Sequence, residues 1–203
     1  AGTVDTLTAM LPTYAVAENP LDYTTIGVRQ PGLIGELLLA MLQDKAIGSL
    51  VLAIPVGPTM AQRDKADHIV PAIARAHKPA VLVLTGDDSP IESFFTDAIR
   101  ASGVPLFRSA DRALRALQRV AAYGEALERW RGAEDVNAWI GARFEYDFAR
   151  AMALSETQRA RTGPIEVRLP AAFFASPNGV CVDLARFAVE TLRLVAPASR
   201  PMY

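Results

Sequence analysis

Short apolar runs alternate with helix-like segments through the N-terminal two thirds of the chain. Each run is followed by a turn and then by a segment in which apolar residues recur at helical spacing. This alternation predicts β/α units, and therefore an α/β fold with a parallel sheet and helices on both of its faces. The predicted strands are Ser49–Ile54, Ala80–Leu84 and Val104–Phe107, and the predicted helices are Gly32–Gln43, Met60–Ala76, Ile91–Ala101 and Ala110–Trp130.

The pattern changes near Gly132, where the alternation of strands and helices stops. We therefore predict two domains, residues 1–132 and residues 133–203, of which the second is smaller and mostly helical. Within the second domain, the residue pattern predicts helices over Asp135–Phe144 and Gly179–Val195, a short strand over Glu166–Leu169 and an exposed loop over Arg159–Pro164.

Composition and charge exclude several classes of partner. Of the 203 residues, 51% are hydrophobic, which is typical of a chain that buries a core. The 21 basic and 22 acidic side chains leave a net charge of -1, so we expect no nucleic acid and no membrane as a partner. The longest apolar run, Leu50–Val56, is too short to span a bilayer, and we expect no signal peptide. The single cysteine, Cys181, excludes a multi-cysteine metal site and fits a reducing compartment, so we expect a cytoplasmic protein.

The most informative stretch is SLVLAIPVGPT, Ser49–Thr59, where an apolar run ends at a Gly-Pro turn and a helix begins. Such a junction directs unpaired backbone N–H groups at one point, and the helix dipole adds about half a positive charge there. Because ligands collect at the carboxyl ends of parallel strands, the turns at Gly57 and Gly86 are candidates for binding phosphate or carboxylate. Each turn also suits a plain structural role.

Four blocks of the first domain resemble one known family. In this order and spacing they resemble the flavodoxin-like ligase domain of the succinyl-CoA synthetase superfamily, especially the single-chain nucleoside-diphosphate-forming acyl-CoA synthetases. The resemblance covers residues 1–132. The blocks are ENPLDYTT with Asn19 and Asp22, LVLAIPVGPT with Gly57 and Thr59, KPAVLVLTGDDS with Thr85 and Gly86, and SGVPLFRSADRALRAL, which leads into an alanine-rich final helix.

The resemblance implies part of an acid-thiol ligase, in which a histidine of another domain carries phosphate between the acyl-phosphate and nucleotide sites. It assigns six residues to the environment of that phosphohistidine, namely Asn19, Asp22, Gly57, Thr59, Thr85 and Gly86. The phosphohistidine motif, the CoA-binding domain, the ATP-grasp domain and the first β/α unit of the flavodoxin-like domain are missing from the sequence. We therefore expect a fragment that is not catalytic alone and whose partners are those domains or subunits.

Cofactors follow from the same resemblance. CoA, ATP or ADP, and magnesium are implied for the full enzyme, and we expect none of them to be bound by this chain alone. The two histidines, His68 and His77, fall on a predicted helix and at its end, so we interpret both as structural or exposed. Association into a homo-oligomer is an open alternative.

A second candidate site is Cys181, at the start of the predicted helix Gly179–Val195. A helix N-terminus favours the thiolate form of a cysteine. GVCVDLARF around Cys181, together with VNAWIGARFEY over Val136–Tyr146, resembles the transglutaminase-like cysteine enzymes, and the resemblance covers residues 133–203. It implies that Cys181 is the nucleophile of an acyl-transferase or protease fragment. No histidine follows Cys181 in this chain, so the triad of such an enzyme is incomplete.

Three interpretations of function therefore stand. The chain is part of an acyl-CoA synthetase, which we prefer because that resemblance covers most of its length, or a cysteine acyl-transfer fragment, or a noncatalytic interaction module. Cys181 also suits the role of a small buried hydrophobic residue. We interpret Asp183 as a charge in the first helical turn and not as a catalytic group.

Overall fold

The structure is a computed structural model and describes residues 2–23, 25–86, 88–160 and 163–198. The chain divides into two units, Ala1–Leu117 and Gln118–Tyr203, which we call the first and the second unit. The boundary between the two units falls within one helix, Ala110–Arg129. The change of sequence pattern near Gly132 instead falls between that helix and the next one, Ala133–Arg143.

The first unit is built on a parallel sheet of three strands, β1 (Leu50–Pro55), β2 (Ala80–Thr85) and β3 (Leu106–Phe107), in the order β1-β2-β3. β1 and β2 pair along their whole length, from Leu50 opposite Ala80 to Pro55 opposite Thr85. The predicted α/β class with a parallel sheet is confirmed. β3 is shorter than the predicted strand because the N–H of Val104 donates to the carbonyl of Ile99 at the end of the preceding helix, 3.3 Å away, and not to a neighbouring strand.

Helices pack against both faces of this sheet. One face packs its leucine and isoleucine side chains against Ile34, Ile73 and Phe95, which come from three separate helices. On the other face, Val81 and Val83 of β2 pack against the last helix of the unit. The helices of the first unit are α1 (Thr3–Met10), α2 (Ile26–Arg29), α3 (Pro31–Gln43), α4 (Thr59–Asp64), α5 (Val70–Ala74), α6 (Ser93–Ser102) and α7 (Ala110–Arg129), of which α7 continues into the second unit.

The helix predicted over Met60–Ala76 is present, but a π-helical turn, Lys65–Ile69, interrupts it between α4 and α5. In this turn the N–H of Val70 donates to the carbonyl of Lys65, five residues back. Pro71 accounts for the wider turn, since proline has no N–H to donate and its ring crowds the carbonyl four residues earlier. Such turns occur frequently at functional sites.

The second unit is mostly helical, as the pattern predicts. Its elements are the helices α8 (Ala133–Arg143), α9 (Phe148–Ala160), α10 (Pro170–Ala175) and α11 (Cys181–Val195) and the paired short strands β4 (Glu145–Tyr146) and β5 (Asn178–Gly179). α8 and α11 correspond to predicted helices, whereas α9 does not. The predicted loop Arg159–Pro164 begins inside α9, and its residues Arg161 and Thr162 lie outside the described residues.

Aromatic side chains form the core of the second unit. Phe173 and Phe187 are fully buried, with their ring centroids 5.0 Å apart. Trp139 packs on Phe187 at 5.0 Å, and Trp130 meets Trp139 edge to face at 5.9 Å. Both tryptophans of the chain therefore belong to this core, and their fluorescence reports on the second unit.

A buried carboxylate, Asp183, joins three segments of the second unit. It forms a bidentate ion pair with Arg150 of α9, with N–O distances of 2.7 and 2.9 Å. It also accepts hydrogen bonds from the backbone N–H of Arg168 at 2.9 Å and of Val180, the N-cap of α11, at 3.1 Å. Its side chain is therefore hydrogen-bonded on both oxygens, as a buried carboxylate must be.

This network explains why the predicted strand Glu166–Leu169 is wrong. No residue of that segment is in a strand. Three of its backbone groups are hydrogen-bonded to side chains and not to a strand, namely the Glu166 carbonyl to Arg150, the Val167 carbonyl to Arg186 and the Arg168 N–H to Asp183.

The environment of Asp183 makes the stability of the folded second unit depend on pH. Burial raises the pKa of this carboxyl, but the hydrogen bonds and the charge of Arg150 and the two backbone N–H groups outweigh burial and lower the pKa to about 2. Folding therefore favours the ionised form relative to the unfolded chain. The resulting stabilisation is complete above about pH 5 and is lost as the pH falls through about 4 towards 2.

We predict that Asp183→Asn lowers the free energy of unfolding of the second unit by about 2–4 kcal/mol at neutral pH, because Arg150 keeps its position without a charged partner. The difference from the parent should shrink as the pH falls from about 5 to about 2, since the parent loses the same stabilisation. Urea denaturation followed by tryptophan fluorescence measures both. The control is Glu156→Gln, which removes an exposed carboxylate from α9. A loss of stability that is equal for both variants would contradict the prediction.

Candidate functional site

Two glycine turns meet at the carboxyl end of the parallel sheet. Pro55 at the end of β1 lies opposite Thr85 at the end of β2, and the N–H of Val56 donates to the Thr85 carbonyl at 3.1 Å. Gly57 follows Val56 and Gly86 follows Thr85, and both glycines have positive φ, 73° at Gly57 and 92° at Gly86. The structure therefore brings the predicted residues Gly57, Thr85 and Gly86 to one edge.

Gln62 of α4 holds these two turns together. Its side chain is 2% exposed, although it is polar. The amide nitrogen donates to the carbonyls of Gly57 and Pro90, both at 3.1 Å, and the amide oxygen accepts from the N–H of Glu92 at 2.9 Å. One side chain thus satisfies three backbone groups from the loops that follow β1 and β2, which fixes the spacing of the turns.

Thr59 adds a second link between the same loops. Its hydroxyl donates to the Glu92 carboxylate at 2.7 Å, so in this structure its proton is engaged by a protein group. The N-cap of α4 is Pro58, and no side chain caps this end of the helix. The first N–H groups of the helical run that begins at Thr59 therefore have no capping side chain, which is the arrangement that suits an anion.

A lysine that the sequence analysis missed supplies positive charge beside the Gly57 turn. The Nζ of Lys65 donates to the carbonyl of Val56 at 3.0 Å and to that of Ala61 at 3.3 Å. Burial lowers the pKa of this ammonium, and the charge of Asp64 partly offsets that effect. A signal for it exists in the sequence, because Gln62 and Lys65 lie on the same helical face as Ile69 and break its apolar pattern.

The remaining two predicted residues lie elsewhere. Asn19 lines a cavity of about 350 Å³ between α3 and the N-terminal half of β1, away from the Gly57 turn. Asp22 is exposed, and burial together with its charge raises the pKa of the neighbouring Tyr23. The structure thus brings together Gly57, Thr59, Thr85 and Gly86, but it does not place Asn19 with them.

The histidines do not contribute to this edge. His68 and His77 are both exposed, as the sequence analysis predicts. Among residues 2–23, 25–86, 88–160 and 163–198, no three His, Cys, Asp or Glu side chains are grouped so that they could hold a metal ion. No helix in those ranges is long and apolar enough to cross a membrane.

Cys181 is the first residue of α11 and is exposed, so it is not a buried hydrophobic residue. Two residues that flank it have structural roles. A Cβ at Gly179 would lie 3.1 Å from Asp183 and from Phe173, so a larger residue here would press on both side chains. Asp183 is engaged by Arg150, as described above, and is not available to orient a catalytic base. The Gly-x-Cys-x-Asp pattern is therefore largely a helix start that presents one exposed thiol.

The edge of the sheet has the parts of an anion site. It combines uncapped backbone N–H groups, glycines that let a ligand approach the backbone and one ammonium nearby. Such an edge can hold and orient a charged group that another domain supplies.

Comparison with known proteins relates part of the chain to a CoA ligase. Over 117 residues the chain is 32% identical to a trans-feruloyl-CoA synthase from an unknown prokaryotic organism. The match covers 57% of this chain, and the chain spans 16% of the length of that relative. No protein-family model matches the chain. No solved structure matches it significantly.

We predict that Gln62→Leu lowers the free energy of unfolding of the first unit by about 2–4 kcal/mol, because it leaves three backbone groups without their partner. Urea denaturation followed by circular dichroism measures the change. The control is Gln43→Leu, at the exposed end of α3, which should change stability by less than about 0.5 kcal/mol. Equal stability of the two variants would show that Gln62 does not hold the turns.

Proposed function

We propose that the first unit is the flavodoxin-like ligase domain of a nucleoside-diphosphate-forming acyl-CoA synthetase. In this proposal the turns at Gly57 and Gly86 receive the phosphate of a phosphohistidine that another domain carries. The observation that carries the proposal is the similarity to trans-feruloyl-CoA synthase, a CoA ligase by its name. The four sequence blocks of residues 1–132 support the same assignment.

The geometry of the sheet edge supports a role in holding phosphate. Four of the six predicted residues lie there, and Gln62 fixes their spacing through the Gly57 carbonyl and the loop after β2. The ammonium of Lys65 supplies a positive charge next to the same turn. Asn19 and Asp22 are assigned to the environment of the phosphohistidine by the resemblance alone. To take part in that environment, they would need contacts made by another domain.

The unit would act as one part of a larger enzyme. The CoA-binding domain, the ATP-grasp domain and the domain with the phosphohistidine are its proposed partners, whether they are joined to it or separate subunits. CoA, ATP or ADP, and magnesium would be bound by those domains. The residues of the sheet edge hold and orient the phosphorylated imidazole, while the bond-making groups come from the partners. The proposed location is the cytoplasm.

We predict that a peptide with a phosphorylated histidine binds the full chain at the sheet edge. Titration of isotopically labelled chain should shift the backbone amide signals of Gly57, Thr59 and Gly86 in NMR spectra, whereas the unphosphorylated peptide should not. Gly57→Ala should weaken binding by about tenfold, because the backbone at φ 73° is strained for alanine and a Cβ would lie 3.1 Å from Ala61.

The matched control is Gly103→Ala. Gly103 also has a positive φ, 66°, but nothing lies within 4 Å of the position its Cβ would take, and it ends α6 away from both turns. The Gly103→Ala variant should bind the phosphorylated peptide with the same affinity as the parent chain. Equal binding of the phosphorylated and unphosphorylated peptides, or equal loss in both glycine variants, would refute the proposed phosphate site.

A second candidate function, cysteine acyl transfer, has one observation in its favour. Cys181 is an exposed thiol at the first position of α11, a helix of 15 residues, and helix N-termini activate cysteine. No histidine is present in the second unit, so a histidine base for this thiol would have to come from outside that unit.

The corresponding prediction concerns the rate of alkylation. If Cys181 is activated, iodoacetamide should label it several-fold faster than a small model thiol at neutral pH, and Cys181→Ser should take up no label. Mass spectrometry over time measures both rates. A rate at or below that of the model thiol would remove this candidate.

A further inference from the structure

An arginine at the end of β3 reaches the turn that follows β2. Arg108 comes directly after Phe107, the last residue of β3, and its Nη2 donates to the carbonyl of Gly86. The same carbonyl accepts from the N–H of Ser89 at 3.1 Å, so Arg108 binds the turn at the point where it closes. Because β2 and β3 are parallel, Arg108 belongs to the same carboxyl edge of the sheet as the two glycine turns.

One nitrogen of this guanidinium has no acceptor. Nη1 of Arg108 is buried, and it makes no hydrogen bond within residues 2–23, 25–86, 88–160 and 163–198. No other buried side-chain nitrogen or oxygen in the described part of the chain lacks a partner. A charged donor that is buried without an acceptor costs free energy, and an oxygen of a bound ligand would remove that cost.

The shape of the guanidinium indicates which ligand fits. Its donors lie in one rigid plane, so an anion with several oxygens can accept from Nη1 and from a second N–H of the same group. The start of α7 beside it already has a cap, since Ser109 Oγ accepts from the N–H of Arg112 at 3.4 Å. Arg108 is therefore the donor that the end of β3 contributes to this edge.

We propose that Arg108 binds the oxygens of a phosphoryl group at the Gly86 turn, with Nη1 as the donor. For the source of that group, a phosphohistidine of another domain, the inference rests on the proposed function. Inorganic phosphate presents the same kind of oxygens without the histidine, so the two sources can be tested separately.

The first experiment titrates the full isotopically labelled chain with inorganic phosphate and with the phosphohistidine peptide. Both probes should shift the side-chain Nε–H signal of Arg108 and the amide signal of Gly86 in NMR spectra. Sodium chloride at matched ionic strength should not, because it screens charge without supplying a multidentate acceptor. No shift of the Arg108 signal with either phosphoryl probe would overturn the inference.

Variants measure what the guanidinium contributes. Arg108→Met should weaken binding of both probes by about tenfold, since it removes a charge-assisted hydrogen bond. Arg108→Lys should bind with an affinity between those of the parent and Arg108→Met, because lysine keeps the charge but not the planar set of donors. The control is Arg75→Met, which removes an exposed arginine that also donates to a backbone carbonyl, that of Pro71. It should leave both affinities unchanged.

A purely structural role for Arg108 would give a different result. Arg108→Met would then lower the free energy of unfolding of the first unit and leave phosphate affinity unchanged, which would overturn the inference. If Arg108→Met does not fold, Arg108→Lys and the shift of the Arg108 Nε–H signal decide.

The proposed function can fail separately. If the phosphorylated and unphosphorylated peptides bind equally while inorganic phosphate still shifts the Arg108 signal, the phosphohistidine is refuted as the source and the phosphoryl site at Arg108 is supported. If the phosphorylated peptide binds preferentially and Arg108→Met binds it as tightly as the parent, only the role of Arg108 is refuted.

Discussion

The parallel pairing of β1 with β2 is the constraint on which the rest of the first unit depends. Because the two strands are in register from Leu50 opposite Ala80 to Pro55 opposite Thr85, both end at the same edge. The turns that follow are therefore neighbours, and a single buried amide, Gln62, can hydrogen-bond to both loops. A shift of register would separate these loops and leave the amide without partners.

The same constraint produces two adjacent but different environments for a ligand. On the outer side, Gly57, Thr59, Thr85 and Gly86 expose backbone to solvent and suit a group with several acceptor oxygens. On the inner side, the α4 helix and its π turn line a mainly apolar cavity, to which Asp64 and Lys65 also contribute. The first environment suits a highly charged group, and the second a weakly charged one, because burial penalises charge.

The second unit depends on a different interaction, the buried ion pair of Asp183 with Arg150. Asp183 lies in the first turn of α11 and reaches α9, the segment after it and the cap of its own helix. The Asp183 carboxylate of the Gly-x-Cys-x-Asp pattern therefore has a structural role, because its ion pair and hydrogen bonds occupy both of its oxygens. What that pattern leaves for chemistry is the exposed thiol of Cys181.

Much of the secondary structure was predictable because it depends on local periodicity. The strands β1 and β2 and the helices α3, α6, α7, α8 and α11 follow from the spacing of apolar residues, and the turn glycines from the need for positive φ. The Glu166–Leu169 segment was wrongly predicted to be a strand because its backbone groups form hydrogen bonds with side chains that are distant in the sequence. The local pattern of residues contains no information about those side chains. The π turn depends on how Pro71 is accommodated within a packed helix.

The sequence by itself determined the α/β class of the first unit, the positions of its two glycine turns and the likeness to CoA ligases. The tertiary structure alone decided which of the predicted residues meet, since the distance between Asn19 and Gly57 is a matter of packing and not of sequence spacing. It also decided the roles of Gln62, Lys65 and Asp183. Each of these is a polar side chain at a buried or half-buried position, and its role follows from hydrogen-bond partners that folding brings from other parts of the chain.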